Sequence, residues 1–161
     1  MTTSRRGYRG YIGSRPVRGT SYPQRVQNLV VRDYAARNGL HYLLSATEHC
    51  MPGSYMILRD VLNEFPKIDG IICFSLFALP ADALARREIY ARVLGAGGSL
   101  HAALEDLALR SPEHIDRFED LIAVSELLER TPFSGRDDKQ IATRDDAAWQ
   151  RLLDAAHGIP T

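Results

Sequence analysis

The chain has 161 residues, 45% hydrophobic and 25% charged, the values of an ordinary globular domain able to bury a core. No apolar run approaches the ~18 residues of a membrane span. The first thirty residues hold arginines and glycines but no apolar signal core, so no secretory signal is visible, no membrane partner is expected and a cytoplasmic location is expected by default.

The net charge is zero, but it is unevenly placed. Residues 1–32 carry seven arginines and no acid, and the remaining thirteen basic residues face all twenty acids. This asymmetry points either to an anion near the N-terminal segment or to an acidic body that neutralises a basic arm of its own or a neighbouring chain. Cys50 and Cys73, the only cysteines, are expected to be free.

Residues 1–7 read as a disordered basic arm, 8–130 as an α/β domain, and 131–161 as a polar linker followed by a short helix. Tyr8–Ser14 alternates large and small residues as a first strand. Pro16, Gly19 and Pro23 punctuate the next loop, and Pro23 opens a helix with Val26, Leu29, Val30 and Tyr34 inward and Gly39 as its stop. His41–Ala46 is a short strand. Thr47–Ser54 is a polar loop, and Tyr55, Leu58, Val61, Leu62 and Phe65 recur at helical spacing up to Pro66. Ile71–Leu76 is apolar on both faces, as a central parallel strand should be. Pro80 and Asp82 begin a third helix with Leu84, Ile89, Val93 and Leu94 inward; Gly95, Gly97 and Gly98 stop it. Ser99–Leu104 is a fourth strand. Ser111-Pro112-Glu113 starts a helix carrying Ile115, Phe118, Ile122 and Leu127, and Ala147–Ala156 is a tail helix with Trp149, Leu152 and Leu153.

This βαβαβαβα order predicts a parallel sheet of about four strands with helices on both faces. Ligands of such sheets sit beyond the carboxyl ends of the strands. The loops there are 14–23, 47–54, 75–80 and 105–109. In the first, Arg15 and Arg18 can fork onto an anion, with Arg25 on the following helix turn. Tyr11, Gln27, Asn28 and Ser75 are candidates to orient a polar ligand, although the amides can equally satisfy loop carbonyls. Ser14, Glu48, His49 and Glu105 are the candidates for chemistry: a hydroxyl at a strand end, an acid and base pair, and a carboxylate after the fourth strand that can instead partner Arg9 or Arg15. No paired ligand spacing accompanies His49 and Cys50, so no metal is expected. The phosphate-cradling, dinucleotide and HExxH motifs are missing, so no cofactor is expected.

Gly10-Tyr-Ile-Gly-Ser14 resembles the first-strand motif of the serine recombinase catalytic domain, which ends in that family's serine nucleophile. Gln27 with Arg32–Gly39 is similar to its first helix, and Pro52-Gly53 with Leu58–Glu64 to its second. Asp69–Leu79, with the helix, glycine and strand that follow, extends the likeness to about residue 125, and Glu105 falls near the glutamate after the fourth strand. The resemblance implies a resolvase-like fold. Yet Ile12-Gly13 stands where the recombinases carry an arginine before the serine, Met51 stands before the Pro-Gly, and Leu76-Phe-Ala-Leu-Pro80 replaces an arginine cluster. Those arginines neutralise the phosphodiester, so DNA cleavage is not implied. The tail shows no helix-turn-helix reader, and a nucleic-acid partner is not expected.

A closer resemblance is to a small bacterial family, the sporadic carbohydrate cluster proteins. It rests on Tyr8-Arg-Gly-Tyr-Ile-Gly-Ser-Arg-Pro16, Pro23-Gln-Arg-Val-Gln-Asn-Leu29, Leu43-Leu-Ser-Ala-Thr-Glu48, Met51-Pro-Gly53 and Ala102-Ala-Leu-Glu105, in order over about residues 8–130. That family is encoded among genes for surface-polysaccharide sugars. The resemblance implies a role in carbohydrate biosynthesis, with an anionic sugar or sugar nucleotide bound at the carboxyl edge of the sheet. The alternatives are a non-catalytic partner of another pathway enzyme and a recombinase-fold nucleic-acid binder. A hydrophobic tail helix on a domain of this size suggests a homo-oligomer.

Overall fold

The computed structural model describes residues 6–131 apart from Cys50 and Pro52. The basic arm up to Arg5 and the expected tail helix lie outside the described residues. The chain divides into two units, Met1–Ser125 and Glu126–Thr161, and the first holds the sheet.

The strands are β1 (Tyr8–Gly13), β2 (Tyr42–Glu48), β3 (Gly70–Cys73), β4 (Ser99–Ala102) and β5 (Leu107–Leu109). The helices are α1 (Gln24–Arg37), α2 (Met56–Asn63), α3 (Ala83–Gly95) and α4 (Ile115–Arg130). The sheet order is β2-β1-β3-β4-β5. The first four strands are parallel, and β5 runs antiparallel to β4. The sequence predicts four strands and a loop over 105–109, where the structure adds β5. Three residues, Leu107-Ala-Leu109, are too few to show an alternation, but they pair with Leu100–Ala102 after the sharp turn at Asp106, whose φ is +54°.

Helices cover both faces. Chain direction explains which: β1 to β2 steps one way across the sheet and every later crossover steps the other way, so right-handed connections put α1 on one face and its successors on the other. Val31, Tyr34 and Ala35 of α1 pack on Ile12, Ile72 and Phe74. On the opposite face Leu58 and Leu62 of α2, Ile89 and Val93 of α3 and Phe118 of α4 pack on Tyr11, Ile71, Cys73 and Leu100.

The inner faces differ in detail from the apolar pattern. In α1 the buried positions are Gln27, Val31, Tyr34 and Ala35, while Val26 and Leu29 are exposed. Leu84 of α3 is 75% exposed and Arg86 is buried in its stead; Leu44 of β2 is 77% exposed on the edge strand, and Leu127 of α4 is exposed too. In α1 and α3 a polar side chain with a backbone or charge partner, Gln27 and Arg86, takes an inward place. Hydropathy alone cannot register such a trade.

Candidate functional site

The chain reverses its direction of travel between β1 and β3, and the crevice beyond their carboxyl ends is where an open α/β sheet takes its ligand. Tyr11, Gly13, Arg15, Gln27 and Glu48 converge there with Pro16, Val17, Phe77 and Ala78 around a cavity of about 20 Å³, room for one water. The loops therefore do meet, and their own side chains fill most of the space.

Glu48, the last residue of β2, is buried. Its carboxylate accepts the Ile57 and Leu58 amides at 3.3 and 3.1 Å and the Tyr11 hydroxyl at 3.2 Å. Ile57 and Leu58 are in the first turn of α2, whose own N-cap, Tyr55, makes no side-chain cap. Glu48 thus satisfies orphan amides and balances the positive helix end from a distant strand. Burial, and then the Glu48 charge, push the Tyr11 hydroxyl above its ordinary pKa, so Tyr11 is a hydrogen-bond donor here.

Gln27 lies under the first loop. Its Nε2 donates to the carbonyls of Gly13 at 2.6 Å and Tyr22 at 2.8 Å, and its Oε1 accepts the Gly13 amide at 3.1 Å. The amide holds the β1 exit in place. Ser14 follows on the exposed side, with its backbone amide bonded to the Glu48 carbonyl at 3.1 Å. Among the described residues no base is hydrogen-bonded to the Ser14 hydroxyl.

The third loop is built in the same way. Ser75, fully buried, donates its hydroxyl to Glu105 Oε1 at 2.6 Å and accepts the Phe77 amide at 3.1 Å; Glu105 Oε2 accepts the Leu76 amide at 2.8 Å. Glu105 pairs with neither Arg9 nor Arg15. Arg9 instead bonds Glu64 at 3.2 Å and the Leu44 carbonyl. Cys73, directly upstream, is fully buried and free, and burial pushes its thiol well above the ordinary range, as an inert core group.

Two arginines flank the crevice on aromatic faces. The Arg15 guanidinium lies 4.0 Å from the centre of the Tyr55 ring and donates to the Ser54 carbonyl. The Arg18 guanidinium lies 5.2 Å from the Phe77 ring, and its backbone is left-handed at φ +50°. A stack occupies the plane of a guanidinium and leaves its donors pointing sideways, the geometry that forks onto a phosphate or carboxylate. His49 and Arg25 are exposed, and Asn28 is half-buried with its Oδ1 lacking a partner. The structure thus brings Tyr11, Arg15, Gln27 and Glu48 around one cavity and ties Ser75 to Glu105. Among the described residues, the side chains of Ser14, His49 and Arg25 make no hydrogen bond or ion pair with them, and Ser14 meets Glu48 through the backbone alone.

A second, larger cavity, about 580 Å³, lies between α2 and α3, from Gly53 and Tyr55 down to Leu62 on one wall and from Pro80 down to Arg92 on the other. Sequence reading missed it, because a groove is a property of helix spacing and carries no motif. Its upper wall is fixed by buried Arg86, which donates to the Pro80 and Ala81 carbonyls at 3.0 and 2.6 Å and forks onto Glu119 at 2.9 and 2.7 Å. Glu119 also accepts the Tyr90 hydroxyl at 2.8 Å. Among the described residues no three His, Cys, Asp or Glu side chains cluster as a metal site, and no helix is long and apolar enough to cross a membrane.

Comparison with protein-family models, with curated proteins and with solved structures finds no match for this chain.

Proposed function

We propose that this protein binds an anionic sugar metabolite, a sugar phosphate or nucleotide sugar, at the carboxyl edge of its sheet, as a cytoplasmic component of bacterial surface-carbohydrate biosynthesis. The observation that carries the reading is the pair of aromatic-backed arginines on the loop that leaves β1, Arg15 over Tyr55 of the segment after β2 and Arg18 over Phe77 of the segment after β3. The pathway context rests on the resemblance to the sporadic carbohydrate cluster proteins. The missing recombinase arginines argue against phosphodiester cleavage.

The reading is of binding first. Glu48 and Glu105 are both engaged in holding backbone amides, so neither is disposed as a proton carrier for a ligand. The test is a thermal-shift screen against glucose 1-phosphate, UDP-glucose and a short DNA duplex, with Arg15→Ala alongside the parent. Stabilisation by the sugar anions that is lost in Arg15→Ala supports the reading. A shift that survives Arg15→Ala removes the anion site, and a shift from DNA alone, steeply weakened by salt, favours the nucleic-acid binder. A second reading, a non-catalytic partner or self-association surface, is favoured by the exposed apolar run Leu121, Val124, Leu127 and Leu128 on α4.

A further inference from the structure

The groove between α2 and α3 belongs to neither the crevice nor the motifs that describe it. Its floor is aliphatic: Leu58, Leu62 and Ile89 are each less than a tenth exposed. Its volume falls within the ~300–1,000 Å³ of small-molecule sites. It opens at the carboxyl edge, because residues that precede α2 and α3 form its mouth. Tyr55 is shared, since it lines the groove and carries Arg15. Across the rim, Arg59 on α2 and Glu88 on α3 both line the groove, and neither side chain has a hydrogen-bond or ion-pair partner among the described residues, whereas Asp82 caps α3 and Arg92 is held by Asn63.

From these features we infer that the groove seats the base of a nucleotide-linked sugar whose diphosphate reaches Arg15 and Arg59. The inference rests on the anion reading at Arg15 and narrows it. A simple sugar phosphate has hydroxyls on every side and would lose hydration against an aliphatic floor without compensation. A nucleobase is flat, offers apolar faces to that floor, and carries its donors and acceptors on its rim, where Glu88 stands. The anion does not lie at the α2 N-terminus, because Glu48 already occupies those amides. The wall length also selects the ligand. Eight residues make α2 about 12 Å long, the reach of a nucleoside rather than of a long lipid chain.

The test is calorimetric titration of the whole chain with UDP-glucose, glucose 1-phosphate, inorganic pyrophosphate and dodecyl phosphate. Ala85→Phe fills the groove, Arg59→Gln removes its rim cation at an exposed position, and Arg15→Gln addresses the crevice. UDP-glucose is expected to bind at least tenfold more tightly than glucose 1-phosphate or pyrophosphate, with the advantage over both lost in Ala85→Phe and that over glucose 1-phosphate lost in Arg59→Gln. Melting of each unliganded variant checks its fold, and Arg59→Gln decides alone if Ala85→Phe does not fold. Equal affinities, or an advantage untouched by the groove variants, overturn the inference; glucose 1-phosphate binding that still depends on Arg15 would then leave the crevice reading standing. UDP-glucose binding that needs the groove but ignores Arg15→Gln supports the groove as a seat and removes the crevice. Tighter binding of dodecyl phosphate overturns the nucleotide in favour of a lipid anion.

Discussion

His101 sits at the centre of β4 with no exposed surface, its Nδ1 2.8 Å from the Tyr34 hydroxyl, its Nε2 2.8 Å from the Ser99 hydroxyl, and its ring edge-on to Tyr8. A neutral imidazole donates from one nitrogen and accepts at the other, and two hydroxyls suit either tautomer. Burial, assisted by the Arg110 charge, lowers its pKa from 6.5 to about 4. Between those values the unfolded chain binds a proton that the folded chain refuses, so stability falls as pH drops through this window. The loss over the whole window is about 3 kcal/mol. Urea unfolding at pH 7, 5.5 and 4 should show this slope, and His101→Gln should flatten it. Glu48 is the second residue whose place defines the architecture. Glu48→Ala leaves two α2 amides and a buried hydroxyl without their acceptor, a cost of about 2 kcal/mol, while Glu48→Gln keeps an acceptor and should cost less. Urea midpoints of the two variants order them. The sequence puts Glu48 in a loop over 47–54, whereas it is the last residue of β2. Its bonds to a helix nine and ten residues on were not legible, because a cap supplied by a strand end leaves no local signature.

At the scale of elements, sequence pattern located the four helices and four of the five strands among the described residues. It misjudged inner faces where polar groups go inside, and Arg86 is the clearest case. This arginine ties α3 to Glu119 of α4 and to the loop carbonyls that begin the groove, with 5% and 16% of the two side chains exposed. The Glu119 carboxyl is held below its usual range first by the Arg86 hydrogen bonds, with Tyr90 adding to them. Breaking such a pair from one side strands a charge. Arg86→Met should cost about 3 kcal/mol, and the double variant Arg86→Met/Glu119→Leu should recover much of it. Additive losses in a chemical-denaturation cycle would contradict that coupling. Gly70 sets a steric limit elsewhere in the sheet: a Cβ there would lie 2.3 Å from the Ser99 carbonyl oxygen and 2.8 Å from the Tyr8 ring. Gly70→Ala should therefore strain the β3–β4 contact and lower the melting temperature.

The whole molecule joins a crevice filled by its own side chains to an open groove beside it, with Tyr55 and Arg15 at the boundary. The exits of β1, β2 and β3 do gather at one edge, since a parallel sheet brings every βα exit to the same side. The room for a ligand, however, was set by how far α2 and α3 stand apart, which no residue pattern encodes. A ligand at a hundred times its dissociation constant stabilises the folded state by about 2.7 kcal/mol, so for a domain of this size saturation by UDP-glucose should raise the melting temperature by about 10 °C. A shift of that size with UDP-glucose, and a smaller one with glucose 1-phosphate at the same concentration, is the expected pattern in a melting scan.

The bond from Glu48 to α2 also governs how the protein opens. A helix end normally frays, and its first amides trade hydrogen for deuterium quickly. Here the Ile57 and Leu58 amides are closed by a side chain rooted in the edge strand β2, so they can be released only when β2 lifts from β1 or Glu48 lets go. Their exchange should be slow and should keep pace with that of the β2 amides, which makes the start of a two-turn helix a reporter on the edge of the sheet.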